Sequence, residues 1–218
     1  MYKFCVFDMD GTVVNSIGDI SAAMNRSLEK MGYKTYTEKE YCYLVGNGME
    51  ILCRRAIPDA DEPTVQKLIS LYKNDYLNNC CTNTVIYDGV EEAIKKLNAN
   101  GIKCAIISNK PHPQAMEVAD KLFSEDMFVE VMGQKPEFPI KPDPASLLFM
   151  INKYGYDLSE VAFIGDTSVD MELGNNAGVF PIGVTWGFRD RKELEEANAG
   201  AVVDTAEELV EAIMKKAR

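Results

Sequence analysis

The spacing of apolar and polar positions changes along this chain, and the changes outline its architecture. Tyr2 to Phe7 is a short run rich in aromatic and β-favouring side chains, which predicts a buried strand. Ile17, Ile20, Met24, Leu28 and Met31 then recur at helical spacing, with Gly32 as a stop signal. Thr37 and Glu40 make a capping-box start for a second, short helix ending near Gly46, and Met49 to Ala56 predicts a third. Asp61-Glu62-Pro63 opens a longer helix through Leu68, Leu71, Tyr72, Tyr76 and Leu77, with Pro63 suited to a first turn. Residues 15–83 hold no convincing strand and read as an all-helical insertion.

From Tyr87 onward helix and strand alternate. Helices are predicted at Val90 to Asn98, Pro113 to Leu122, Asp143 to Tyr154, Ser168 to Ala177 and Ala206 to Lys216. Strands are predicted at Lys103 to Ile107, Phe128 to Met132, Val161 to Gly165, Phe180 to Val184 and Ala201 to Val203. Such alternation implies a mostly parallel sheet, because parallel neighbours need crossover helices. The expected fold class is α/β: a Rossmann-like core from residues 1–14 and 84–218, with the helical domain of 15–83 inserted into it.

The apolar runs end on polar groups. The first stops at Asp8 and Asp10 with Gly11 behind them, the second at Ser108, and a third at Asp166. In a parallel sheet the strand tips face one way, so these side chains, remote in sequence, are expected to share one crevice. Asp-x-Asp-Gly alone also fits a calcium loop or an Asx turn, but the twelfth residue from Asp8 is Asp19 where an EF-hand carries glutamate. Three carboxylates in one crevice call for a cation, and aspartate oxygens are ligands that Mg²⁺ prefers. Aspartate can also act as a nucleophile toward phosphorus, with a second carboxyl serving as proton donor and acceptor.

Composition narrows the partners. A net charge of -11 repels nucleic acid, so an anionic substrate must be held by a few placed cations, backbone donors or a metal. The six cysteines form no CxxC pair and read as reduced thiols; no apolar stretch is long enough to span a membrane. A cytoplasmic protein is expected, monomer or homodimer, engaging neither nucleic acid nor membrane.

With these residues in view, the chain resembles the haloacid dehalogenase superfamily of aspartate-nucleophile phosphatases over almost its whole length. Asp8-Met9-Asp10-Gly11-Thr12, Ser108-Asn109-Lys110-Pro111, Lys141-Pro142-Asp143-Pro144 and Gly165-Asp166-Thr167-Ser168-Val169-Asp170 are similar to that family's four motifs, in its order. The helical insertion is similar to the cap of the phosphoglycolate phosphatase branch, as are Gly46-Asn47-Gly48, Asn176-Ala177-Gly178 and Thr185-Trp186-Gly187. The resemblance implies Asp8 as the nucleophile and Asp10 as general acid and base. It implies Mg²⁺ held by the Asp8 side chain, the Asp10 carbonyl and Asp166, with Asp170 supporting the metal's waters or Lys141. Ser108, the Asn109 amide and Lys141 would hold the phosphoryl group, and Gly46, Asn47 and Gly48 of the cap would select the substrate.

Alternatives stay open at this level. Ser108 also suits a strand-end turn, Lys135-Pro136 offers a second Lys-Pro pair, and Asp170 suits a solvent-facing first helical turn. Arg54 and Arg55 lie one to two turns beyond the cap loop, where at helical spacing at most one faces the crevice, and Asn15 stands where the family commonly has aspartate. The function expected is Mg²⁺-dependent hydrolysis of a small phosphorylated metabolite, phosphoglycolate first, through an aspartyl phosphate. Pyrophosphatase or nucleotidase activity, a β-phosphoglucomutase-like isomerase and a non-catalytic phosphoacceptor switch are the competing readings.

Overall fold

The structure is a computed structural model that describes residues 2–215. The chain opens with β1 (Phe4–Phe7) and a two-residue β2 (Val14–Asn15), and passes through α1 (Ile17–Lys30), α2 (Glu38–Leu44), α3 (Gly48–Ala56) and α4 (Glu62–Asn79). It returns through β3 (Val85–Ile86), then runs α5 (Val90–Ala99), β4 (Lys103–Pro111), α6 (His112–Leu122), β5 (Val131–Gln134) and α7 (Ala145–Tyr154). It closes with β6 (Val161–Gly165), α8 (Ser168–Ala177), β7 (Phe180–Val184), α9 (Arg191–Glu196), β8 (Ala201–Val203) and α10 (Ala206–Lys215). Six strands form one parallel sheet in the order β5-β4-β1-β6-β7-β8, so the fold is the expected α/β class with a helical insertion.

β1 sits inside the sheet and is covered on both faces, which is why its sequence reads as an unbroken apolar run. Phe4 and Val6 join a layer with Leu147 and Met150 of α7 and Leu173 of α8. Cys5 and Phe7 join the opposite layer with Ile94 and Leu97 of α5 and Leu209 of α10. The insertion has a cluster of its own, where Ile17, Ile20, Met24 and Leu28 of α1 meet Leu52 of α3 and Leu68, Tyr72 and Tyr76 of α4. Phe188, from the loop after β7, also enters that cluster and ties it to the sheet.

Chain entry and exit at the insertion lie side by side, because β2 and β3 pair antiparallel with Val14 opposite Ile86 and Asn15 opposite Val85. Asp19, buried in the first turn of α1, clasps the exit: its carboxylate accepts from Asn83 N at 2.9 Å, Thr84 N at 2.9 Å and Thr84 Oγ1 at 2.6 Å. Strands of two residues are too short to carry a period, so the apolar pattern does not announce them.

Other boundaries move for local reasons. β5 begins at Val131 rather than Phe128, whose ring instead packs edge-on against Phe123. α7 begins at Ala145, since Asp143 Oδ1 accepts the Ala145 N–H at 2.9 Å and fixes the turn before it. β4 continues past Ile107 to Pro111 with a register shift between them, and Ser108, Asn109 and Lys110 occupy that irregular stretch. α9 escapes the pattern because only Leu194 of its six residues is buried. Lys216, expected at the end of the last helix, lies outside the described residues. Among the described residues no helix is long and apolar enough to cross a membrane.

Candidate active site

The tip of β1 turns tightly. Asp8 N still donates to Ile164 O at 2.8 Å, and the Met9 carbonyl then accepts from Val13 N and Val14 N, each at 3.0 Å. Gly11 makes this turn possible with φ +91°, and it must also lack a side chain: a Cβ there would lie 2.2 Å from Asp166 Oδ2. Gly187 closes the other side, since its Cβ would lie 2.3 Å from the Asp166 Cβ. Asp166 is thereby seated with no exposure, its Oδ1 accepting from Thr12 Oγ1 at 3.2 Å and its Oδ2 from Phe188 N at 2.8 Å.

Asp170 is buried, not solvent-facing. Its Oδ2 caps α8 by accepting from Thr167 N at 3.1 Å and Thr167 Oγ1 at 2.8 Å, and its Oδ1 faces Lys141 Nζ at 2.7 Å. Lys141, itself buried, also stands 2.8 Å from Asp8 Oδ1. That second contact is an ion pair without hydrogen-bond geometry, so the buried Asp8 Oδ1 retains no hydrogen-bond partner. Burial alone would pull the Lys141 ammonium down, but Asp170 and Asp8 hold it above its ordinary value.

One oxygen from each of Asp8, Asp166 and Asp170 lies within 4.8 Å of the others. Burial raises the Asp8 carboxyl to about 7 against the pull of Lys141, and raises Asp166 well above its ordinary range, with repulsion from Asp170 and Asp8 adding to it. An all-oxygen, mutually repelling, buried set, with Asp8 Oδ1 lacking a hydrogen bond and a glycine cradle around Asp166, fits a hard divalent cation. Asp10 is not in this set through its carboxylate, which accepts from Ser16 Oγ at 2.6 Å and Lys110 Nζ at 2.8 Å.

The insertion covers this end of the sheet and leaves a cavity of about 60 Å³. Asp8, Asp10, Ser108, Asn109, Gly46 and Gly48 all line it. Asn47 does not: its Oδ1 accepts from Arg55 Nη2 at 2.8 Å. Arg55 also donates to the Leu44 carbonyl, while Arg54 is bound to Glu50 and Glu62 on the outer surface. Lys141, Asp166 and Asp170 stand outside the lining, grouped with Asp8. Lys135 has no part in this cluster, which leaves Lys141 as the lysine of the pair.

Residues 5–184 match the family model for haloacid dehalogenase-like hydrolases. The chain belongs to that family. Within this hydrolase family it is 29% identical to a phosphoglycolate phosphatase of Haemophilus influenzae, over 96% of this chain and 97% of the relative. It is also 29% identical to a phosphoglycolate phosphatase of Pseudomonas putida, over 93% of this chain and 76% of the relative. A crystal structure of a Lactobacillus delbrueckii protein described as a candidate phosphoglycolate phosphatase superposes with a TM-score of 0.93, at 27% identity, covering 97% of this chain and 98% of that one. A Thermotoga maritima protein described as a candidate β-phosphoglucomutase superposes with a TM-score of 0.71 at 25% identity, each chain covered to 99%. The buried aspartate trio is consistent with the metal site of this hydrolase family.

Several residues at the site make contacts that the sequence does not signal. Lys110 follows Ser108 and Asn109 directly, yet only the fold reveals that its buried ammonium meets Asp10 and the Tyr76 hydroxyl, at 2.8 and 2.5 Å. Tyr72 and Tyr76, stacked at 5.3 Å, read in the sequence as helix core and in the structure also line the cavity. Ser16 occupies the N-cap of α1 but gives its hydroxyl to Asp10 instead of the helix. Trp186 packs as its size suggests and donates from Nε1 to the Thr12 carbonyl at 3.0 Å.

Proposed function

We propose that this hydrolase is a Mg²⁺-dependent phosphatase acting in the cytoplasm on a small phosphorylated metabolite, with phosphoglycolate the first substrate to test. The observation that carries the reading is the buried group in which Lys141 faces both Asp8 and Asp170 beside Asp166, next to a small cavity under the insertion. Residues 15–83 act as the cap over a core made of 1–14 and 84–218. The curated phosphatase relatives support the substrate, and the closer superposition on a phosphatase-like chain than on a mutase-like one supports hydrolysis over isomerisation.

In this reading an Asp8 carboxylate oxygen bonds to phosphorus while the leaving-group oxygen departs with a proton delivered by Asp10. Asp10 then takes a proton from water, whose oxygen bonds to phosphorus and frees Asp8 and inorganic phosphate. Ser108, the Asn109 amide and Lys141 hold the phosphoryl oxygens and oppose the charge that develops on them. Asp8 and Asp166 would hold Mg²⁺ with the Asp10 carbonyl, and Asp170 would orient Lys141 or the metal's waters. When bound, the cation supplies neutralisation of phosphate and carboxylate charge. Gly46 and Gly48 shape the substrate side, and Asn47, expected beside them, acts only through the loop it shares with Arg55. The unpaired cysteines suit a reducing compartment.

Phosphate release from a panel of phosphorylated metabolites, with Mg²⁺ and with a chelator, tests the proposal. Turnover of phosphoglycolate that disappears with chelation and in Asp8→Asn is the expected result. Activity indifferent to both would remove it, and a stable aspartyl phosphate without phosphate release would point instead to a phosphoacceptor switch.

A further inference from the structure

Beyond the phosphate and metal groups, the cavity is walled by apolar and aromatic side chains: Ile20, Met49, Leu52, Tyr72 and Phe188. Lys110 is the only lysine or arginine among the described residues that lines it. The insertion's arginines are committed elsewhere, Arg26 to Asp75, Arg54 to Glu50 and Glu62, and Arg55 to the Leu44 carbonyl and Asn47. Arg189 pairs with Glu193 and the Val45 carbonyl; its buried Nη1 keeps no hydrogen-bond partner among the described residues, but the residue does not line the cavity.

Lys110 is a buried ammonium held by two partners, Asp10 from the core and the Tyr76 hydroxyl from α4, with its charge also over the Tyr76 ring at 4.9 Å. An ammonium has three N–H groups, so one remains for a ligand. Tyr72, stacked on Tyr76 and 3% exposed, lines the same cavity, and its hydroxyl has no hydrogen-bond partner among the described residues. The cavity is about 60 Å³, where a single water occupies roughly 10–15 Å³. That is room for a short chain.

We infer that Lys110 is the specificity-determining residue of this site, reading a single carboxylate on a short leaving group, with the Tyr72 hydroxyl as its neutral partner. This rests on the phosphatase reading above and narrows it: the substrate class is a two- or three-carbon phosphate monoester bearing one carboxylate. A carboxylate in contact with a desolvated ammonium gains a charge-assisted bond, and a neutral analogue leaves that donor unpaired.

Matched substrate pairs test this: phosphoglycolate against ethyl phosphate, and 3-phosphoglycerate against glycerol 3-phosphate, with Mg²⁺ present. The wild type should favour the carboxylated member by about tenfold or more in kcat/KM. Lys110→Met should bring that ratio toward one, chiefly by raising KM for the carboxylated member, although both members lose kcat because Asp10 loses a partner. Lys110→Gln, which keeps a donor for Asp10, serves the same comparison where the methionine variant does not fold. Tyr76→Phe retains the charge and should retain most of the preference. A ratio unchanged in the lysine variants overturns the assignment, as does a wild type without carboxylate preference in either pair. A wild type that prefers 3-phosphoglycerate to glycerol 3-phosphate but ignores phosphoglycolate upholds Lys110 and removes phosphoglycolate as the substrate.

Discussion

Asn109 Nδ2 donates to the Gly46 carbonyl at 3.0 Å, so one side chain at the end of a core strand holds the loop between two helices of the insertion. The same amide donates to the Lys141 carbonyl at 3.2 Å, and its Oδ1 accepts the Lys141 N–H at 2.8 Å. Asn109→Ala would leave the buried Lys141 backbone unpaired and should cost about 1–3 kcal/mol of stability. It should also lower kcat, because the Lys141 ammonium and the Gly46 loop shift together. Urea denaturation and steady-state kinetics on one preparation check both, and a variant unchanged in either measure contradicts this coupling.

Asp10 receives two donors, Ser16 Oγ and Lys110 Nζ, and both fix the carboxyl at the cavity wall. If it protonates the leaving oxygen, Asp10→Asn should slow alkyl phosphates about a hundredfold or more while sparing nitrophenyl phosphate, whose leaving group needs little protonation. Single-turnover measurement isolates the first step. Equal loss on both substrates would assign Asp10 a different role.

Gly187 has no room for a side chain beside Asp166, with a Cβ placed 2.3 Å from the Asp166 Cβ and 2.3 Å from the Gly11 carbonyl. Gly187→Ala should therefore displace Asp166 and weaken cation binding without substituting any proposed ligand. For the wild type, Mg²⁺ at a hundred times its Kd should add about 2.7 kcal/mol of stability. Differential scanning fluorimetry should record a Mg²⁺-dependent rise in Tm that shrinks in Gly187→Ala and in Asp166→Asn. The same rise in all three proteins would place the cation elsewhere.

How far the sequence speaks depends on where each residue sits. Asp8, Asp10, Ser108 and Asp166 are legible because each ends an apolar run, and strand tips in a parallel sheet share one edge. Lys141 ends no run and needed the family resemblance to separate it from Lys135. Asp170 falls in the first turn of α8, where a solvent-facing acid is equally natural; it is buried because Gly165 lacks the Cβ that would lie 2.2 Å from the Asp170 Cβ. Lys110 and Tyr76 meet across 34 positions, between a core strand and a helix of the insertion, and no local period encodes that contact. The Asp19 clasp on Asn83 and Thr84 is hidden for the same reason.

Cys5 and Cys104 are register partners on β1 and β4, both without exposure. Burial pushes the Cys104 thiol up from 9.0 to about 12, and Cys5 well above 9.0. The unfolded chain therefore loses these protons before the folded one does, so the stabilisation is complete below pH 9 and is lost as pH rises from 9 toward 12. Each such thiol contributes a fall of about 1.4 kcal/mol per pH unit within that window. Urea denaturation from pH 8 to 10.5 should give a shallower alkaline decline in Cys104→Ala than in the wild type, whatever the variant's stability at pH 8. Parallel declines would mean that Cys104 ionises in the folded protein as readily as in the unfolded chain.

Gly46 and Gly48 take φ of +111° and +81°, and both line the cavity. Space is not their constraint: an added Cβ would meet Thr167 Cγ2 at 3.9 Å from position 46 and the Asn109 carbonyl at 3.6 Å from position 48, both ordinary contacts. Backbone conformation is, because a side chain disfavours positive φ by about 1–2 kcal/mol. Gly48→Ala should therefore let the loop relax away from its present path and move the start of α3 while the core motifs stay in place. If the loop selects the substrate, activity toward phosphoglycolate depends on the loop as well as the core, whereas nitrophenyl phosphate depends mainly on the core. In Gly48→Ala, kcat/KM should fall several-fold more for the small acid than for nitrophenyl phosphate. Proportional loss on both, in a variant with wild-type Tm, would mean that this loop closes the cavity without choosing what enters it.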